Sequence, residues 1–326
     1  MDNLFSPREH ILIKDLKPGL EILQFFQVSS KELRKTKTGQ DYLSLALTDM
    51  SGSMPAKLWS NSMKSSILDF DAGDFVKTKG TTQVYGETLQ FNIEKIRRAE
   101  LSEISELDRL IRKTSFETES LYKEILDCVE LLTPPELSQL VRRIIETHAE
   151  KFKTYPAAKR IHHAYYGGLI EHTYTVMIKT QALIGLIPGI NGNLAVAGAV
   201  LHDIGKLNEL DAVSRGRTTL GRLKGHVMLG IEILRDEGAE LGVLSEPWFY
   251  ELEHILLSHH GELEFGALVK PLTREAILVH FIDNLDSKLK IMDEALEKSD
   301  PEGFSDYNKY LEGRAYAGSH RSTEDL

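Results

Sequence analysis

The 326-residue sequence contains a single cysteine, Cys128. One thiol can form neither an intrachain disulfide nor a thiolate-rich zinc cluster, so the chain reads as one that folds without such links in a reduced, cytoplasmic setting. No apolar run approaches the ~18 to 20 residues needed to cross a bilayer. The opening Met1-Asp2-Asn3-Leu4-Phe5 also lacks the basic and apolar stretches of a signal peptide, so no membrane role is expected. There is no Gly-x-Ser-x-Gly elbow and no Walker-type glycine loop, which leaves serine-nucleophile and nucleotide-coupled chemistry without support.

Positive charge is scarce as well. A net charge of −10 speaks against a chain whose whole surface grips nucleic acid. The deficit is uneven: residues 1–100 carry 14 Lys and Arg against 13 Asp and Glu, and the remainder 25 against 36. The acidic excess reads either as solvated helix faces or as carboxylates gathered for a metal, and the asymmetry as two units with different tasks.

What is present follows the same division. Leu43, Leu45 and Leu47 alternate with Tyr42, Ser44, Ala46 and Thr48, the period of a half-buried strand, and Leu89, Phe91 and Ile93 repeat the pattern. Residues 61–70 form the one helix-like piece before residue 99, with Met63, Ile67 and Phe70 at helical spacing. Three strands, a short helix and two more strands predict an OB-fold barrel within residues 1–98. Residues 99–118 are polar and weakly periodic and read as a linker or an irregular helix. From there to about residue 300 the pattern is helical, with helices predicted over 119–132, 135–150, 163–185, 193–207, 223–237, 247–260 and 272–297. The expected architecture is therefore an N-terminal all-β barrel followed by an all-α domain over 119–300. The polar tail over 301–326 is expected to fray or to dock on a partner.

Nine of the 12 histidines fall between His162 and His280. The segment from Ala195 to Leu201 is an apolar, small-residue helix that ends in His202-Asp203, with Lys206 four residues after His202 and thus on the same face of a continuing helix. A buried carboxylate there needs a partner, and one cation satisfies it together with a neutral imidazole. For the dipeptide alone, a core histidine and a capping aspartate account for it as well. His172 stands near the start of another helix, His226 follows Gly225 at the start of a third, and His259 and His260 end a fourth before Gly261. Asp283 sits in the apolar run Ile277-Leu278-Val279-His280-Phe281-Ile282. One such residue is usually structural, whereas a set spread over separate helices points to a shared ion.

In this order the residues resemble the HD-domain metal-dependent phosphohydrolase superfamily, whose pattern is H…HD…H…H…D. The stretch His162-His163-Ala164-Tyr165-Tyr166-Gly167-Gly168-Leu169-Ile170-Glu171-His172-Thr173, behind a barrel-like unit, is similar to the YhaM-type 3′→5′ exoribonucleases, and the likeness spans roughly residues 15–295. It implies an HD domain with two divalent ions. His172, His202, Asp203 and Asp283 would hold the first, and Asp203 would bridge to a second completed by His226 and by His259 or His260. Neighbouring helical residues point about 100° apart, so which of those two faces the metal stays open. Mixed imidazole and carboxylate donors suit manganese first, with Co, Fe, Ni or Zn compatible. The implied catalytic residues are Asp203 and Lys206, the latter neutralising charge on phosphate oxygens while metal-activated water attacks. The implied activity is 3′→5′ hydrolysis of single-stranded RNA, or of ssDNA. The alternative is hydrolysis of a small nucleotide (a dNTP, a cyclic dinucleotide or an alarmone) with the barrel as a regulatory or oligomerisation module, and a homo-oligomer is compatible with either. A third reading is a non-catalytic nucleic-acid binder with a structural metal.

OB barrels bind single strands through aromatic stacking beside a basic groove. The candidates are Trp59, Tyr85 and Phe91, with Lys31, Arg34, Lys35 and Lys37 in the segment before Tyr42. Phe91 reads first as barrel core, and Trp59 either way. His162 and His163 read as phosphate contacts or as helix-start packing. Glu171 orients a ligand, moves a proton or is merely solvated, and Asp286 supports the ligands or forms a surface pair. His280 reads as a core histidine, and His148, His254 and His320 have no supporting context.

Overall fold

The leucines that alternate along residues 41–49 all face the interior of a barrel: Leu43, Leu45 and Leu47 are buried. The computed structural model describes residues 10–318 apart from 37, 64–67, 87, 101–102, 105–106, 159–162, 212–215 and 298. The chain forms two compact units that divide between Lys113 and Thr114, within the segment read as a linker.

In the first unit, β1 (Glu21–Lys35), β2 (Asp41–Asp49), β3 (Gly52–Trp59), β4 (Phe75–Tyr85) and β5 (Thr88–Arg98) close in the order β1-β2-β3-β5-β4, with β4 back on β1. Every pairing is antiparallel except β3 with β5, which gives the OB-fold expected from the pattern. Phe26, Leu47, Met54, Leu58, Phe70 and Phe91 fill it. The helix expected over 61–70 is described only as α1 (Ser60–Met63); residues 68–70 are not helical. Ile104, Leu110 and Ile111, beyond the last strand, are buried, and Met50 N–H donates to the carbonyl of Arg109 in α2 (Leu107–Leu110).

The second unit contains α3 (Thr118–Glu130), α4 (Pro135–Thr147), α5 (Ala149–Thr154), α6 (Gly168–Ile184), α7 (Gly192–Leu201), α8 (Lys206–Glu209), α9 (Thr219–Glu240), α10 (Pro247–Ser258) and α11 (Arg274–Leu296). Leu194 through Leu201 are all buried, because small apolar residues on every side let α4, α6, α10 and α11 pack around α7. Two predicted helices are shorter than expected. The one drawn from 163 begins at Gly168, since Gly167 takes a left-handed φ of 76°. The one drawn to 207 stops at Leu201, where residues 202–205 turn. The described part of the tail, to residue 318, does not fray: β6 (Phe304–Asn308) and β7 (Gly313–Tyr316) form a hairpin beside α11. Asp300 fastens it, accepting from Phe304 N–H at 2.9 Å and from Arg314 Nη2 at 2.6 Å. Among the described residues no helix is long and apolar enough to cross a membrane.

Candidate metal centre

The C-terminal end of a helix leaves backbone carbonyls without intrahelical partners. Two of the histidines use such carbonyls. His202 Nδ1 donates to the carbonyl of Ala199 at 2.9 Å, and His259 Nδ1 to that of Leu256 at 2.7 Å. In each case the ring turns its Nε2 lone pair away from its own helix and into the middle of the unit. Because α7 is buried all round, the turn after it carries Asp203 into the same place. Gly205 permits this approach: a Cβ there would lie 2.0 Å from the carbonyl oxygen of His226. His226 itself opens the second part of α9, after a break at Gly225 (φ 72°, ψ 161°) that only glycine adopts readily.

The side chains form two clusters joined by one carboxylate. In the first, His172 Nε2 lies 3.2 Å from His202 Nε2 and 3.2 Å from Asp283 Oδ1, while Asp203 Oδ2 is 3.5 Å from His172 Nε2 and 3.4 Å from His202 Nε2. In the second, His226 Nε2 is 3.1 Å from His260 Nε2, while Asp203 Oδ1 lies 3.5 Å from His226 Nε2 and 3.8 Å from His259 Nε2. His172–His202–Asp203 and His226–His259–His260 each place three donor atoms within 4.8 Å of one another. His172, His202, Asp203 and His259 are almost wholly buried. Lys206, beyond the turn rather than on a continuing helix, donates to Asp203 Oδ2 at 2.6 Å.

These donors fit divalent ions on three counts. His202 commits its Nδ1 proton to a carbonyl and His172 its Nδ1 proton to the Asp286 carboxylate at 2.7 Å, so two lone pairs meet at 3.2 Å unless positive charge lies between them. Burial disfavours charge on His172, yet Asp283 and Asp286 hold its pKa up at about 10, so without an ion the ring itself carries the positive charge, as a proton that a bound cation would replace. Asp203 Oδ1 and His259 Nε2, both turned into the clusters, are buried with no hydrogen-bond partner. Burial and the neighbouring His260 and His202 keep the His259 ring neutral, its pKa well below the usual value, and burial with His226 brings His260 down to about 4. Burial would raise the Asp203 carboxyl, but Lys206, His202 and His226 draw it well below the ordinary range. Neutral imidazoles and ionised carboxylates are the forms that bind a metal.

Several residues read only loosely from the sequence have defined places. His163 Nε2 donates to Asp286 Oδ2 at 3.0 Å, and its Nδ1 meets Tyr165 Oη at 3.1 Å. Tyr165 in turn donates to Glu171 Oε1 at 2.7 Å. Glu171 is therefore buried rather than solvated: burial raises its carboxyl, but His163, Thr114 and Tyr165 outweigh that and bring it to about 2. His280 Nδ1 donates to the His259 carbonyl at 2.8 Å, a structural histidine as expected, and His254 accepts from Leu272 N–H. His162 and His320 lie outside the described residues. Glu209, at 3.3 Å from His226 Nδ1, was not anticipated, since nothing in its local sequence marks it.

On the barrel, Trp59 and Tyr85 are exposed, and Lys57 lies over both rings, 5.6 and 4.7 Å from their centroids. Tyr42, paired across the sheet with Trp59, joins them with its ring at 5.2 Å. Phe91, by contrast, is fully buried and belongs to the core. Lys31 is tied to the carbonyls of Leu68 and Phe70, and Arg34 to Glu32, so neither is a free cation of the groove. Lys35 is exposed at the end of β1 opposite Asp41, and Lys37 lies outside the described residues.

The HD domain family model matches residues 169–288, the stretch that carries both clusters, and a helicase family model (TraI_2) matches residues 113–186. The second OB-fold domain of replication protein A from Methanococcus maripaludis is 23% identical in both its solution and crystal structures. Each match covers 28% of this chain and 94% of that domain, with TM-scores of 0.23 and 0.24. A far longer match is to the 3′-5′ exoribonuclease YhaM of Geobacillus sp. (strain WCH70), 32% identical over 299 residues. It takes in 91% of this chain and 92% of that enzyme, barrel and helical unit together. With its HD domain behind an OB-fold barrel, the chain belongs to the YhaM-type 3′→5′ exoribonuclease family.

Proposed function

We propose that the chain is a metal-dependent 3′→5′ exoribonuclease of the cytoplasm that removes nucleotides from single-stranded RNA, and also acts on ssDNA. The observation that carries this reading is the division of Asp203, with Oδ2 turned to His172 and His202 and Oδ1 to His226 and His259. One carboxylate shared in this way suits a pair of ions. His172, His202, Asp203 and Asp283 would hold the first, and Asp203, His226, His259 and His260 the second, manganese being our first assignment and Co, Fe, Ni or Zn compatible with the same donors. What such ions supply when bound is Lewis acidity toward phosphate oxygens and a lowered pKa for water.

The chain's own residues do the rest. Asp203 and Asp283 bring negative charge that fixes the positive centre, and the buried histidines keep bulk water out of it. Lys206 holds Asp203 Oδ2 and presents the remaining N–H bonds of its ammonium to a phosphate. In the reaction an oxygen of water bonds to phosphorus as the P–O3′ bond of the last linkage breaks. The products are a nucleoside 5′-monophosphate and a chain one nucleotide shorter with a free 3′ hydroxyl. Strand capture falls to the barrel, where Tyr42, Trp59 and Tyr85 offer π-faces around the Lys57 ammonium, an arrangement that accepts any base.

Incubation of 5′-labelled single-stranded RNA with the protein and Mn²⁺ tests the reading. A ladder shortening from the 3′ end, abolished by EDTA, is expected. Intact RNA alongside hydrolysed mononucleotides overturns it in favour of a small-nucleotide hydrolase.

A further inference from the structure

The four buried or nearly buried ligand rings that flank Asp203 are not held alike. His202 and His259 rest on main-chain carbonyls three residues back. His172 and His226 rest on carboxylates: Asp286 Oδ2 is 2.7 Å from His172 Nδ1, and Glu209 Oε2 is 3.3 Å from His226 Nδ1. Each cluster thus contains one ring backed by a carbonyl and one backed by an acid, and the second holds a further ring, His260, whose Nδ1 has no hydrogen-bond partner. Both acids are buried, at 5% and 4% exposure. Each is also met by a cation that reaches toward solvent, Lys179 at 2.5 Å from Asp286 and Arg217 at 3.2 Å from Glu209.

Burying a carboxylate costs several kcal/mol, and a carbonyl or amide would fix a ring tautomer without that cost. A carboxylate does one thing more: it makes the opposite ring nitrogen a stronger donor to a metal. His202 and His172 in the first cluster, and His259 and His226 in the second, differ in what backs Nδ1, a carbonyl for one ring and an acid for the other. Their sequence positions also separate them, with Asp286 on α11 and Glu209 on α8.

We propose that Asp286 and Glu209 are positioning residues, one for each ion subsite, and that each sets the affinity of its own subsite. The proposal rests on the two-ion reading above. It treats His163, which shares Asp286 Oδ2 at 3.0 Å, as a brace for that carboxylate.

The test is equilibrium binding of Mn²⁺ to the full chain by dialysis and metal analysis, for the wild type, Asp286→Asn, Glu209→Gln and the double variant. The wild type is expected to take up two ions. Each single variant should keep one ion at unchanged affinity and bind the other about 10- to 100-fold more weakly. The double variant should weaken both. Thermal unfolding in EDTA reports folding separately, and should Asp286→Asn fail to unfold cooperatively, the Glu209→Gln arm decides alone. Two ions bound by every variant at wild-type affinity overturns the proposal and leaves the two-ion reading standing, as does equal weakening of both ions by either single variant. A wild type that takes up fewer than two ions takes both down.

Discussion

Asp203 meets His172 and His226 at the same distance, 3.5 Å, but with different oxygens, Oδ2 for the first and Oδ1 for the second. Loss of this carboxylate removes a donor from both clusters at once. Asp203→Ala is therefore expected to lower RNA hydrolysis by more than about 100-fold, beyond what a supporting residue costs. Metal analysis of the purified variant should find less than one ion per chain. Full activity with full metal content would sink the site as assigned.

Lys206 is expected to act on rate more than on metal content. Lys206→Met should reduce kcat roughly 100-fold, the size of effect seen when one donor to developing charge is removed. Bound Mn²⁺ should stay near two per chain. Single-turnover cleavage with metal analysis checks this, and a parallel loss of metal would reduce Lys206 to a prop for Asp203.

Ligand order was legible in the sequence because an imidazole or carboxylate at the end of an apolar helix has no local partner, as with His202-Asp203 after Leu201. The strands were legible because leucines at period two mark a half-buried sheet, and the barrel from their order, three strands, a short helix and two more, which other small all-β folds could also have used. Ring direction was not. Adjacent positions hid the fact that His259 and His260 both turn toward His226, because that depends on the Leu256 carbonyl and on packing across α9 and α10. Glu209 was hidden by distance along the chain, as was the Tyr42–Trp59 pair across the sheet, while Asp286, one turn beyond Asp283, was marked only as a ligand support or a surface pair until its contact with His172 Nδ1 decided between them. The helix drawn through 193–207 overran because its residues favour a helix as far as Leu201, while the turn at 202–205 is set by the tertiary approach of Gly205 to α9.

The barrel should loosen in acid through Asp49. This buried carboxylate accepts from His10, from Ser51 and from Ile13 N–H at 2.6 Å. Burial raises its pKa, but those hydrogen bonds prevail and leave it below the model-peptide value of 3.8. A depressed folded-state pKa means that the stabilisation is fully present above about pH 4 and is lost as pH falls through the folded-state value. Asp49→Asn should destabilise the barrel by roughly 2–3 kcal/mol at neutral pH and flatten its stability below pH 4. Urea unfolding followed by Trp59 fluorescence in a Trp248→Phe background measures both, and an unchanged slope with pH would contradict the assignment.

For the exposed aromatics, Trp59→Ala and Tyr85→Ala are each expected to cost about 1–3 kcal/mol in affinity for a single-stranded oligonucleotide. Lys57→Ala should lower the slope of log affinity against log salt by about 0.7, the value of one contact to a single strand. Fluorescence anisotropy over a salt series provides both quantities. Wild-type affinity in Trp59→Ala and Tyr85→Ala together would move strand capture elsewhere.

The seven side chains of the centre, Asp203 among them, come from five stretches of the second unit, from His172 on α6 to Asp283 on α11, and they converge only once the chain has folded. On the two-ion reading proposed above, coordination there would act as a cross-link between distant parts of one polypeptide, made by donor bonds instead of sulfur. A chain with one cysteine would thereby gain a reversible staple whose strength follows free cation concentration. Scarcity of that cation would then weaken the fold of the helical unit as well as its chemistry.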